Sequence, residues 1–178
     1  MIAMVTVFMM FLLLFGLIGS VRGWAKELLV VFSVILALAA ISLAEDLLGL
    51  KNILFKNDVT LQYWVRTFTV LLMVFFGYQS PSLPRLAKAT EKRGKIQDSI
   101  LGFVFGILSG FFVVGTLWSF GSQAQYPALA EYIGPVPQNL ADVTQRVLNM
   151  LPPVWLDQPT TIFIVVVLAF IFAIVYFL

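Results

Sequence analysis

Residues 1–21, MIAMVTVFMMFLLLFGLIGSV, hold no charged side chain, and after RGWAKE a second uncharged run, LLVVFSVILALAAISLA, extends from Leu28 to Ala44. About 20 predominantly apolar residues cross a bilayer as a helix, because ~30 Å of hydrocarbon at 1.5 Å per residue demands that length. Working outward, Ser99–Ala130 is uncharged, with its apolar part from Ile100 to about Phe120, and Gln158–Leu178 is uncharged and ends in IFIVVVLAFIFAIVYFL. A fifth candidate, about Leu61–Ser80, is interrupted by Arg66 and closed by Pro81 and Pro84. The expectation is an all-α integral membrane protein, a bundle of about five transmembrane helices with a short interfacial amphipathic helix before the last. It divides into a four-helix membrane region over 1–120, an extracytoplasmic loop with the amphipathic helix over 121–158, and a C-terminal transmembrane helix over 159–178.

Composition narrows the function classes. Apolar residues make up 61% of the chain and charged ones 11%, where a soluble domain carries about 25% charged. Disorder requires low hydrophobicity and high net charge, and neither holds. The chain has no Cys and no His, which removes disulfides, thiolate and imidazole ligands and the usual base-activated nucleophiles. A net charge of +2 is no nucleic-acid footprint. Glu45 and Asp46 are adjacent, so on a helix they do not face each other. No Walker-type loop, paired CxxC or HExxH occurs. The expectation is a protein without enzymatic activity, cofactor or metal.

Charge sets the expected orientation. Arg22 and Lys26 in the first connection, with Arg85, Lys88, Lys92, Arg93 and Lys95 in the third, place seven cations on one side; Lys51, Lys56 and Arg146 place three on the other. The richer side is cytoplasmic by the positive-inside rule, so the N-terminus is outside and the C-terminus inside a bacterial cytoplasmic membrane. Trp24 and Tyr78 then mark the inner boundary, and Tyr63, Trp64, Trp118 and Trp155 the outer one. Cations follow the first apolar run instead of preceding it, so Met1–Val21 reads as a span and not a cleaved signal. Pro81–Lys95 reads as a basic hairpin drawn to anionic headgroups. In the outer segment Asn139 is placed to cap a helix. Leu140, Val143, Val147, Leu151 and Val154 make its apolar face, Asp142, Gln145, Arg146 and Asn149 its polar one, and Pro152 and Pro153 its stop. Such a helix leads the chain into the last span or offers a groove to a partner.

Three features stand out as candidate sites. Gly102, Gly106 and Gly110 repeat every four residues along one helix face, which lets a neighbouring backbone approach closely. That face serves either internal packing, against the small residues Ser33, Ala37, Ala40 and Ala44 of the second span, or an oligomer interface. The first turn gathers Arg22, Lys26 and Glu27, with Arg22 and Lys26 on one face if the helix continues. The trio is either two snorkelling cations with a dipole-complementing acid or a cluster that binds a lipid phosphate or a partner. Arg66 is an intramembrane charge that either snorkels outward or pairs with Asp58 or Glu45.

The first turn and the glycine face together resemble the colicin V production protein (CvpA-like) family of bacterial inner-membrane proteins. The pattern G-x-x-R-G-x-x-R/K-E-L is matched by Gly19, Arg22, Gly23, Lys26, Glu27 and Leu28. The pattern D-R-x-L-G-x-x-x-G-x-x-R-G is matched by Asp98, Leu101, Gly102, Gly106 and Gly110. Its two arginines fall at Ser99 and Ser109 here, and the last span is an addition to the four of the family. The resemblance covers about residues 1–120. It implies a membrane protein linked to toxin production and envelope maintenance, with no established reaction. The partners expected are the lipid bilayer and other membrane subunits or a second copy, with no nucleic acid. An accessory subunit of a larger, for example energy-transducing, complex is the second expectation, and a small transporter or channel the third.

Overall fold

The computed structural model of the protein describes residues 4–47, 49, 58–79, 95–127, 138–156 and 158–177, and all regular structure among them is helical. In order come α1 (Met4–Arg22), α2 (Trp24–Ser42), α3 (Val59–Gln79), α4 (Lys95–Gln123), α5 (Gln138–Met150), α6 (Pro152–Leu156) and α7 (Pro159–Phe177), with a π-helical turn, Leu43–Leu47, continuing α2. Among the described residues four helices, Met4–Arg22, Trp24–Glu45, Val59–Gln79 and Ile96–Gln123, are long and apolar enough to cross a membrane. Most cations of the expected basic hairpin (Arg85, Lys88, Lys92 and Arg93) lie outside the described residues, as do Lys51 and Lys56.

Burial orders these helices. Within the protein, 44% of the α2 span and 44% of the α4 span are buried, against 22% for α1 and 17% for α3. The middle of the bundle is therefore α2 with α4, and α1 packs chiefly on α4 and α3 chiefly on α2. The core between them is built from Val30, Val34 and Ala37 of α2 and Val70 of α3, all fully buried, with Phe112 and Val113 of α4. Valine suits this position because its χ1 is already restricted in a helix, so little side-chain freedom is lost on packing. At the start of α7, Ile162 joins the same core and Val165 and Val166 pack beside it.

The joint between α1 and α2 is shorter than RGWAKE, the six residues that separate the two uncharged runs. Gly23 alone separates the two helices, at φ +89°, and its N–H bonds the Gly19 carbonyl at 2.9 Å. Residues with a Cβ rarely adopt that backbone, whereas glycine does so without steric cost. Arg22 ends α1 and Lys26 lies in α2, so the two do not share a continuing helical face. At the other connection α4 starts at Lys95, several residues before the apolar run, and Asp98 in its first turn complements the helix dipole.

The outer segment differs in register from the expectation. Asn139 lies inside α5, which begins at Gln138. Leu140, Val147 and Leu148 pack on a cluster of Val5, Phe8, Trp118 and Leu151, and Thr144 is buried, whereas Val143 and Val154 are 43% and 49% exposed. For Val154 the physical reason is the end of the helix: Leu151 bends the backbone and Pro152 opens the separate helix α6, so a face extrapolated straight through to Val154 does not exist. Proline suits a first helical position, since its missing N–H would be unpaired there anyway.

Candidate functional site

The glycine face is a seam between α4 and α1. A Cβ built on Gly102 would collide with the Gly19 carbonyl and lie 3.3 Å from Gly23 Cα; on Gly106 it would meet the Phe15 carbonyl, with Gly16 Cα at 3.0 Å; on Gly110 it would meet Phe15 Cβ at 2.8 Å. The second span is not the partner. Its Ser33 instead faces Gly77 of α3, where a Cβ would strike the serine hydroxyl. Two backbones approach this closely only where both sides lack side chains, and α1 supplies Gly16 and Gly19 for that purpose.

The seam positions the first charged group. Glu27, near the start of α2, is fully buried, and Arg22 Nη1 donates to its Oε1 at 2.6 Å. The Ser109 hydroxyl lies 2.6 Å from Glu27 Oε2 and 2.9 Å from the Gly106 carbonyl; its single proton is best spent on the charged acceptor. Arg22 also donates to the Tyr78 carbonyl at 3.5 Å and stacks 4.2 Å over the Tyr78 ring. One cluster thus ties α1, α2, α3 and α4 together. Lys26 is exposed and stands apart from it.

A second cluster occupies the opposite end of α2. Glu45, in the π-helical turn, is 8% exposed and accepts two bonds from Arg66 of α3, from Nε at 2.7 Å and from Nη2 at 2.5 Å. Gln62 adds a donor to Glu45 at 3.3 Å. Arg66 Nη1 donates to Gln123 Oε1 at 3.1 Å, and Gln123 Nε2 donates to the Ser119 hydroxyl at 3.2 Å. Asp58 is not the arginine's partner; its Oδ1 caps α3, accepting the Thr60 and Leu61 N–H groups at 3.0 Å each.

The two carboxylates stand 18 residues apart along α2 and its π-turn, about 27 Å at helical rise, close to the thickness of a hydrocarbon layer. Each is held by an arginine that reaches it with directional bonds. Charges removed from water persist only when paired and fully hydrogen-bonded, and both acids meet that condition. On α2 the buried residues between them, Val30, Val34 and Leu38, are apolar. Among the described residues no group of three or more metal-ligating side chains occurs.

Sequence reasoning singled out Arg22, Glu27, Arg66 and the three glycines, named Tyr78 only as a boundary marker and Ser109 only as the place of a family arginine, and missed Gln62 and Gln123. Ser109 carried a usable signal, since it lies three residues past Gly106 and therefore on the seam. Gln123 ends α4, where a side chain with both donor and acceptor links the Arg66 guanidinium to the Ser119 hydroxyl. No family model, curated protein or solved structure matches this chain.

Proposed function

We propose that the chain is a non-enzymatic multi-pass protein of the bacterial cytoplasmic membrane, of the CvpA-like type, acting through contacts with lipid or other membrane proteins and serving toxin production or envelope maintenance. The observation that carries this reading is that the two sequence blocks of the resemblance pack on each other: Gly19 and Gly23 against Gly102, Glu27 against Ser109. Where the family pattern has an arginine, Ser109 supplies a hydroxyl to the buried acid. Both ion pairs are bonded internally, which suits scaffolding of the bundle better than capture of a soluble substrate. In this reading α7, 19 residues long and apolar from Ile162 onward, is a fifth span, the N-terminus is outside, and the C-terminus is cytoplasmic.

A second reading, an accessory subunit of a larger membrane complex, is favoured by α3. Trp64, Phe68, Phe75 and Phe76 are each at least half exposed, a row of large rings that a partner helix would cover. Purification in mild detergent with mass measurement separates the two. A species of one or two copies with bound lipid supports the first reading, and stoichiometric foreign subunits support the second.

A further inference from the structure

Between α1, α3 and α4, near the Arg66 end of the bundle, lies a cavity of about 220 Å³. Val7, Phe8 and Phe11 line it from α1, Val114 and Trp118 from α4, and Tyr63 from α3. From Met4 to Phe11 along one wall and from Gly121 to Val114 along the other the run is seven residues, about 10 Å at helical rise. The cavity is therefore a slot parallel to the helices. At its inner limit Phe11 is 41% exposed and continues into Met10 and Leu14 on the outer surface of α1, which are also exposed, so the slot opens sideways onto an apolar helix face.

Its rim has a built structure. After α4 the chain passes through Gln125 and Tyr126 at φ +57° and +56°, a left-handed backbone that side chains with a Cβ disfavour and that is retained where neighbours over-determine it. Here the Tyr126 N–H bonds the Gly121 carbonyl at 2.7 Å and the Tyr126 hydroxyl accepts the Trp118 Nε1 proton at 3.0 Å. The strained turn folds the tyrosine ring back over the slot. Among the described residues the proton of that hydroxyl meets no acceptor, and it sits where apolar walls give way to the end of the bundle.

We infer that this slot takes one acyl chain of a membrane phospholipid from the adjoining leaflet, with the Tyr126 hydroxyl offered to an ester carbonyl at the chain's head. Three features select that occupant. The slot runs along the helices as lipid chains do, its walls are predominantly apolar, and its side opening is continuous with a surface that only lipid or another membrane helix can cover. A helix is too wide for a volume of this size. The inference rests on the proposed reading of α1, α3 and α4 as membrane spans.

The test uses tryptophan quenching in vesicles of phosphatidylcholine brominated on one acyl chain. One variant retains only Trp118 (Trp24→Phe, Trp64→Phe, Trp155→Phe), and another retains only Trp64, which is 50% exposed on α3. Trp118 is 3% exposed, so lipid merely surrounding the bundle leaves it shielded. The expected result is quenching of Trp118 to at least half the extent of Trp64, relieved severalfold when Val7→Phe or Val114→Phe fills the slot, with circular dichroism confirming the helical fold of each variant. Trp118 unquenched beside a quenched Trp64 overturns the inference alone, as does quenching that both filling variants leave unchanged. Trp64 unquenched overturns the membrane reading as well.

Discussion

A methyl group on Gly19 would fall on the carbonyl oxygen of Gly102, and one on Gly102 would fall on the carbonyl of Gly19. The two helices therefore meet backbone to backbone, and the cost of any added atom is borne by main chain that has nowhere to move. Gly106→Leu is expected to lower the unfolding temperature in detergent sharply, since overpacking costs about 1–3 kcal/mol or more where neighbours cannot yield. Leu108→Ala, at a position 37% exposed on the same helix, serves as the comparison and is expected to change it little. Equal shifts would show that the seam is not the main attachment of α1.

The Glu27 cluster predicts an order of severity. Arg22→Ala leaves a fully buried carboxylate with one hydroxyl for company, and stranding a buried charge costs about 3–5 kcal/mol. Ser109→Ala removes one bond to the charged group, worth about 1.5–3 kcal/mol. Glu27→Gln is milder than Arg22→Ala, because Arg22 is 22% exposed and can turn its freed guanidinium outward. Thermal unfolding of the three variants in one detergent checks the order.

At the other end, Arg66→Ala and Glu45→Gln are expected to be non-additive. Side chains in one bonded pair couple by about 0.5–3 kcal/mol, so the double variant should lose less than the sum of the singles. Strict additivity would mean that the bidentate pair contributes no stability.

Among the described residues Thr116 Oγ1 in α4 and Thr144 Oγ1 in α5, like Thr67 Oγ1 in α3, are buried without a hydrogen-bond partner, and a buried polar atom left so costs about 1–3 kcal/mol. Thr116→Val and Thr144→Val keep the shape and remove the oxygen, so each is expected to raise the unfolding temperature. A decrease in either would reveal a role for that hydroxyl.

Sidedness is open to chemistry because the chain has no cysteine of its own. Cysteines at Gln97 and Asn149, both exposed, are expected to react with an impermeant thiol reagent from opposite faces of sealed vesicles, Gln97 from the cytoplasmic one. Labelling of both from one face would break the proposed topology.

Much of this architecture is legible in the chain, and the limits have physical causes. The runs 1–21, 28–44 and 100–120 announce their helices because lipid demands unbroken apolar length. Arg66 and Glu27 are conspicuous because charge is rare there. What the pattern does not give is which helices meet. The Gly102–Gly110 face is plain, but its complement is Gly16 and Gly19 in α1 rather than the small residues of α2, since periodicity fixes a face and not the neighbour it turns to. The end of α5 shows the same limit: Val154 stays in phase with Leu140 only if the helix continues, and the bend at Leu151 rotates it outward. Glu45 over Asp58 as the partner of Arg66 is not legible in composition: Glu45 lies in the π-turn, and Asp58 is engaged in capping α3.

The single-residue joint at Gly23 bears on how the chain is assembled. In the proposed membrane reading, two helices joined by one residue suit entry into lipid as a hairpin, whose tip carries both Arg22 and Glu27. The second oxygen of that acid waits for Ser109, 82 residues later. Arrival of α4 is thus rewarded at a place where water is scarce and a hydrogen bond counts for more, and a late-synthesised helix finds its berth by completing an unfinished one.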